Sequence, residues 1–202
     1  MSLSTPRMVK DRTRPSFPKR AIITAGMPYG NKDLHFGHVG GVFVHADAFA
    51  RFLRDRIGPE NVIFVSGTDC YGSPIVEDYR NRVSRGEFTG TLQEFVESNH
   101  DRQLETLNAY AITPSVFAAS AMEPFREIHR QLGAWIMEVS HRHGHLAKMS
   151  NPQFYDSEMG TFLNGRQVVG RCPIQGCQSE KAYADECSLG HQYEPKDLID
   201  PK

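Results

Sequence analysis

The tightest constraint on this chain is the stretch from Thr24 to His38, where an apolar run ends in glycine and proline and a helical pattern opens at His35-Phe36-Gly37-His38. Ala21-Ile22-Ile23-Thr24-Ala25 has the length and β-branched content of a buried strand. From about His38 onward, Val42, Ala46, Phe49 and Leu53 recur at the spacing of one helical face. The tetrapeptide therefore stands at a strand-to-helix junction. In open α/β sheets such junctions lie outside the carboxyl ends of the strands, where ligands bind near helix N-termini whose N–H groups suit phosphate. Gly37 lets a planar base approach the backbone closely, while His35 and His38 can donate hydrogen bonds to phosphate oxygens or to developing charge at phosphorus. Taken alone, H-x-G-H is a short pattern, and a histidine helix cap followed by a glycine turn satisfies it equally well.

Further along, Asn61-Val62-Ile63-Phe64-Val65-Ser66 reads as a second buried strand that ends at Gly67 and places Asp69 on the same rim as the histidines. Strand, helix, strand is the opening of a doubly wound parallel α/β sheet. Leu92, Phe95, Val96, Leu104 and Leu107 fit a helix with a polar outer face, and Pro114-Ser115-Val116-Phe117-Ala118 fits a short third strand. A stronger amphipathic helix runs from Glu123 to about His141 through Phe125, Ile128, Leu132, Trp135, Ile136 and Val139, with Gly144 as its stop. His141, His143 and His145 alternate around that stop, but their spacing suits neither one helical face nor a compact ligand loop.

Three cysteines and a histidine follow in two clusters, Cys172-Pro173-Ile174-Gln175-Gly176-Cys177 and Cys187-Ser188-Leu189-Gly190-His191. They offer the thiolate and imidazole donors of a closed tetrahedral zinc site, with glycines suited to the tight turns. The spacings, C-x4-C and C-x3-H, leave open a knuckle that packs without metal. Four cysteines in 202 residues are too few for a disulfide scaffold, and Cys70 stands alone as a small residue. No apolar run reaches the ~20 residues of a membrane span and no secretory leader is evident, so a cytoplasmic protein with no membrane partner is expected. Balanced charge, 23 Lys and Arg against 24 Asp and Glu, argues against a dedicated polyanion binder. Only residues 1–20 are basic, a flexible arm that either touches an RNA backbone or is a solvated tail.

Gly26-Met27-Pro28-Tyr29, Asn31 and His35-Phe36-Gly37-His38 stand in the order and spacing of the methionyl group of class I aminoacyl-tRNA synthetases, and the chain resembles that family. The likeness continues through Gly67-Thr68-Asp69-Cys70-Tyr71-Gly72-Ser73-Pro74-Ile75 and into Tyr193 to Lys202. It implies the first half of a Rossmann-type catalytic domain over 21–145 and a connective insert with a zinc knuckle over 146–202. The family activates methionine with ATP to methionyl-adenylate and ligates it to tRNA. By resemblance, His35 and His38 are catalytic and, with Gly37 and Asn31, bind ATP with its Mg2+. Gly26, Met27 and Tyr29 line the amino-acid side-chain pocket, Asp69 holds the substrate ammonium unless it caps the next helix, and Cys172, Cys177, Cys187 and His191 hold Zn2+.

Departures from the family pattern are visible. Tyr71 stands where the family commonly has histidine, and Lys148-Met149-Ser150 resembles the start of the second family signature but runs into Asn151-Pro152 and lies too early. With only half of a catalytic domain, an open sheet edge is expected, and with it a homo-oligomer or a chain that supplies the missing half. Two alternatives remain beside the ligase reading: a truncated paralogue that binds a nucleotide or aminoacyl-adenylate without charging tRNA, and a non-catalytic partner subunit.

Overall fold

The computed structural model describes residues 16–163 and 165–202. Most of the basic arm read from the sequence therefore lies outside the described residues.

Three parallel strands form the organising sheet in the order β1 (Ala21–Thr24), β2 (Val62–Thr68) and β3 (Val116–Ala119). Ile22 is registered against Ile63 and Val65 against Val116, so β2 is central and the other two are edges. Both β2 and β3 are displaced toward the C-terminus from the sequence expectation. Asn61 is drawn into a 3-10 turn (Pro59–Asn61), where its side chain bonds the Ile57 carbonyl, and pairing continues through Gly67 and Thr68. Gly67 is required there because a Cβ would collide with the Ala118 carbonyl.

Helix α1 (Phe36–His38) passes into a π-helical turn (Val39–Phe43) and then α2 (Val44–Ile57), forming one continuous helical run. Its inner face is Val39, Phe43, Ala50 and Leu53, which meet Val62 and Phe64 of β2 and the distant Leu107 in the main core. Phe49 is not on that face. The buried stripe runs through Val39, Phe43, Ala46, Ala50, Leu53 and Ile57, so Phe49 falls at its margin, half exposed and stacked on Phe52.

Helix α3 (Ser73–Ser84) and helix α4 (Leu92–Ala109) complete the covering layer. Thr91 caps α4 in a reciprocal capping box with Glu94. Phe95 and Val96 are buried with Cys70, Ile75 and Ala119 in a second core, whereas Leu92 sits at its exposed margin.

One face of the sheet is thus closed and the other is open. Phe64 and Val62 are buried, while their neighbours Ile22 and Ile63, adjacent on the opposite face, are 69% and 48% exposed. Helix α5 (Phe125–Arg142) has the expected apolar stripe but buries none of its residues, and Ile128, Leu132, Trp135 and Ile136 remain exposed. Gly144, at φ +72°, follows its C-terminus as the pattern predicted.

The C-terminal lobe is built from two small antiparallel pairs. Strand β4 (Phe154–Asp156) pairs with β5 (Thr161–Leu163), and β6 (Val169–Gly170) with β7 (Ala182–Tyr183). Its core is Val168, Ala182, Ala184, Cys187 and Leu198. Gly165 brings the lobe against Ser73 at the start of α3, too close for a side chain at position 165.

Candidate functional site

The chain leaves β1 at Thr24 and crosses the carboxyl end of the sheet before entering the helix at Phe36. On the way Tyr29 bridges Asp69 in parallel fashion: Gly30 N–H donates to the Asp69 carbonyl at 2.7 Å and Asp69 N–H to the Pro28 carbonyl at 2.8 Å. The segment that carries the first motif is therefore stitched to the segment that carries the second.

His35 is the helix cap. Its Nδ1 accepts from Gly37 N–H at 3.0 Å, and its own N–H donates to His38 Nδ1 at 3.3 Å. The two rings stack with centroids 3.8 Å apart. Gly37 has no room for a side chain, because a Cβ there would meet the His35 ring at 2.9 Å. The histidine cap that the sequence offered is present, and it leaves the outer ring nitrogens of both residues uncommitted to the cap. Since each Nδ1 is an acceptor, the neutral rings carry their protons on Nε2, and both Nε2–H groups are left to donate elsewhere. Burial, then the charge of His35 and of Lys32, lowers the His38 pKa from its ordinary value. That shift favours the neutral ring at His38, the form whose Nδ1 can accept from the backbone.

What holds this loop is helix α4, a contribution that its hydrophobic spacing did not reveal. Gln103 is fully buried; its Nε2 donates to the carbonyls of Tyr29 and Lys32, each at 2.9 Å, and its Oε1 accepts from Thr68 Oγ1 at 2.8 Å. Thr68 Oγ1 also contacts His100 Nδ1 at 2.8 Å. Arg102 reaches Asp33 at 2.6 Å. The available signal was polar: glutamine and asparagine on the inner face of an amphipathic helix must find partners when buried, and here Gln103 finds them in the loop. Asn31 is 9% exposed and its Oδ1 has no hydrogen-bond partner among the described residues.

Asp69 is half-buried, its Oδ1 accepting from Tyr71 N–H at 3.2 Å. Gly72, not Asp69, is the cap of α3. No Lys or Arg pairs with the Asp69 carboxylate among the described residues, so its charge is free for a cationic group. Gly26, Met27 and Tyr29 are exposed, the two side chains at 46% and 45%. Tyr71 is exposed too and stacks on His129 of α5.

The cysteines and histidine of the C-terminal lobe converge. The donor atoms of Cys172, Cys177, Cys187 and His191 all lie within 4.8 Å of one another. His191 Nδ1 stands 3.8, 3.3 and 3.4 Å from the sulfurs of Cys172, Cys177 and Cys187, and the Cys177 and Cys187 sulfurs are 3.9 Å apart. A tetrahedron with metal–sulfur bonds of about 2.3 Å has edges of about 3.8 Å, so the cluster has the dimensions of a zinc cage. Burial alone would push the Cys187 thiol up, but hydrogen bonds from the backbone of His191 and Leu189 bring it to about 6. Burial pushes Cys172 up. Burial, followed by the two nearby thiolates, also holds Tyr193 up at about 12, where its hydroxyl donates to the Tyr183 carbonyl. His141, His143 and His145 form no ligand cluster; His143 instead contacts the Val139 carbonyl at the helix end.

A parallel sheet, a histidine-capped helix at its carboxyl end and a cysteine-rich insert after its third strand are the parts of a class I synthetase-type α/β unit. Residues 21–202 match the family described as tRNA synthetases class I (M), and the chain belongs to that family. Methionine–tRNA ligase of Parabacteroides distasonis is 33% identical over 186 residues, covering 91% of this chain and 25% of the relative. The ligases of Cytophaga hutchinsonii and Bacteroides fragilis are each 32% identical, again over about a quarter of their length. The chain thus spans about a quarter of the curated relatives it matches. No helix among the described residues is long and apolar enough to cross a membrane.

Proposed function

We propose that this chain supplies the nucleotide- and amino-acid-binding half of a methionine–tRNA ligase site, whose reaction is ATP-dependent formation of methionyl-adenylate followed by transfer to tRNA. The observation that carries this reading is the paired histidines, whose Nδ1 atoms are tied to backbone N–H groups. In this role the methionine carboxylate attacks the α-phosphorus in line and pyrophosphate departs. The Nε2–H groups of His35 and His38 donate to phosphate oxygens as charge builds. Because the rings are held by the backbone, they need no reorganisation at that moment, which is the condition under which fixed donors contribute most.

Gly37 and Asn31 belong to the nucleotide side of this site. Asp69 takes the methionine ammonium, while Gly26, Met27 and Tyr29 face its thioether with apolar and aromatic surface. Mg2+ arrives with ATP as the charge partner of its phosphates. Zn2+ at Cys172, Cys177, Cys187 and His191 is structural, since four protein ligands leave no open position. A reducing cytoplasm suits the four free cysteines.

The open sheet face and the α5 stripe are, in this reading, the surface covered by polypeptide that supplies the second half of the sheet, because parallel sheets are covered on both faces. Without it the chain self-associates, and Ile63→Glu returns it to monomer in sedimentation velocity. A monomeric parent chain would count against this assignment.

Titration calorimetry with a non-hydrolysable methionyl-adenylate analogue tests the site. The zinc-loaded chain is expected to bind, and His38→Ala to weaken binding at least tenfold, equivalent to about 1.4 kcal/mol. A folded chain that ignores the analogue overturns the proposal. Binding without adenylate formation from methionine and ATP assigns the narrower role of an adenylate-binding half.

A further inference from the structure

A cavity of about 430 Å3 opens between α3, the first turns of α4 and the segment after β3, bordered by Cys70 and Tyr71. Neither Gly26, Met27, Tyr29 nor either motif histidine lines it, so it is separate from the proposed methionine and ATP sites. Its floor is the second core, whose Ile75, Val96 and Cys70 are otherwise buried at 1%, 5% and 8% exposed, with Met122 packed beside them. Its volume falls in the range of small-molecule sites, which combine apolar walls with a few polar groups that fix orientation.

The polar groups at this mouth are unequal. Arg126 is already neutralised, its Nε and guanidinium held by Glu123 at 2.8 and 2.6 Å. Glu97 has no such partner. Its Oε1 accepts only from the neutral side chain of Gln93, at 2.8 Å, and no cation pairs with it among the described residues. Glu97 and Arg126 also line an adjoining cavity of about 450 Å3, and Glu123, the partner of Arg126, lines that second cavity alone. A half-buried carboxylate beside an apolar hole gains most from a ligand that brings its own positive charge and covers the hole with hydrocarbon.

We propose that this cavity binds an apolar primary amine, with the hydrocarbon body against Ile75, Val96, Cys70 and Met122 and the ammonium on the Glu97 carboxylate. The site is a binding site distinct from the adenylate-forming one and does not depend on that reading.

The test compares 2-phenylethylamine, its neutral isostere 2-phenylethanol and the zwitterion phenylalanine by chemical-shift titration of the zinc-loaded chain. Expected are shifts localised to the amides of residues 70–76, 92–97 and 121–126, with the amine bound about tenfold tighter than the alcohol. Glu97→Gln should abolish that preference while leaving alcohol binding and the thermal midpoint unchanged. Met122→Trp, which fills the cavity, should weaken both ligands; if it unfolds, slowed alkylation of Cys70 by saturating amine in the parent chain gives the same location. Equal affinity of amine and alcohol for the parent chain, a preference that survives Glu97→Gln, or tighter binding of phenylalanine than of the amine would each overturn the proposal.

Discussion

The sheet with its helices and the cysteine-rich lobe are held together by different physics. In the first, Phe43, Phe64, Phe95, Ile75 and Leu107 are fully buried, and each excludes enough water to contribute on the order of 2 kcal/mol. The second has a core of five buried residues, strands of two or three residues and four metal-ligand donors drawn together. A lobe that cannot bury enough apolar surface depends on a concentrated cross-link. The difference teaches that the two regions should fail independently and for different reasons.

The largest effect should come from stripping the lobe. A structural zinc in a small unit contributes about 10–16 kcal/mol at neutral pH. Chelation or Cys187→Ser should therefore collapse amide-exchange protection across residues 168–198 while protection in β2 persists. Simultaneous loss in both regions would break the comparison. Next in size, Phe64→Ala should destabilise the sheet layer by about 3–5 kcal/mol in urea unfolding and leave the zinc stoichiometry untouched.

Gln103→Ala should cost about 1–3 kcal/mol, because it strands the carbonyls of Tyr29 and Lys32 along with Thr68. Its diagnostic is analogue binding, which should weaken more than urea stability alone predicts as the histidine loop loosens. Thr91→Ala, which removes the cap of α4, should cost about 1 kcal/mol with binding unchanged.

The smallest effect is a pH dependence confined to the sheet layer. Burial lowers the pKa of His100 from its ordinary value near 6.5. The unfolded chain then binds the proton more tightly, so stability is full above about 6.5 and falls as pH drops toward the folded-state value. His38, lowered for the same first reason, adds in the same direction. His100→Gln should flatten that slope in urea midpoints measured between pH 7 and 5. An unchanged slope would assign it to His38 or to the lobe.

The legible parts of this protein were those with local causes. The strand-to-helix junction at His35 and His38 was readable because a short β-branched run, glycine and proline, and a capping residue each act over a few positions. The clustering of Cys172, Cys177, Cys187 and His191 was readable because few residue types offer soft donors and these recur in two tight groups, and the structure draws their donor atoms within 4.8 Å of one another. Phe49 was misread as core because two stripes one residue apart share Ala46 and Leu53, and only packing against β2 chose the one through Phe43 and Ala50. The strand ends at Ser66 and Pro114 were misplaced because pairing with a neighbour, not propensity, decides where a ladder stops.

By itself, then, the sequence determined the parallel α/β start and the family to which the chain belongs, since motif identity and short-range periodicity are properties of neighbours in the chain. Tertiary structure alone decided that Gln103 and Thr68 brace the loop from more than 30 residues away, and that Glu97 stands uncompensated beside an apolar cavity. Hydrogen-bond satisfaction and charge compensation are settled only when distant segments are packed, because each depends on which polar group lies within about 3 Å in space.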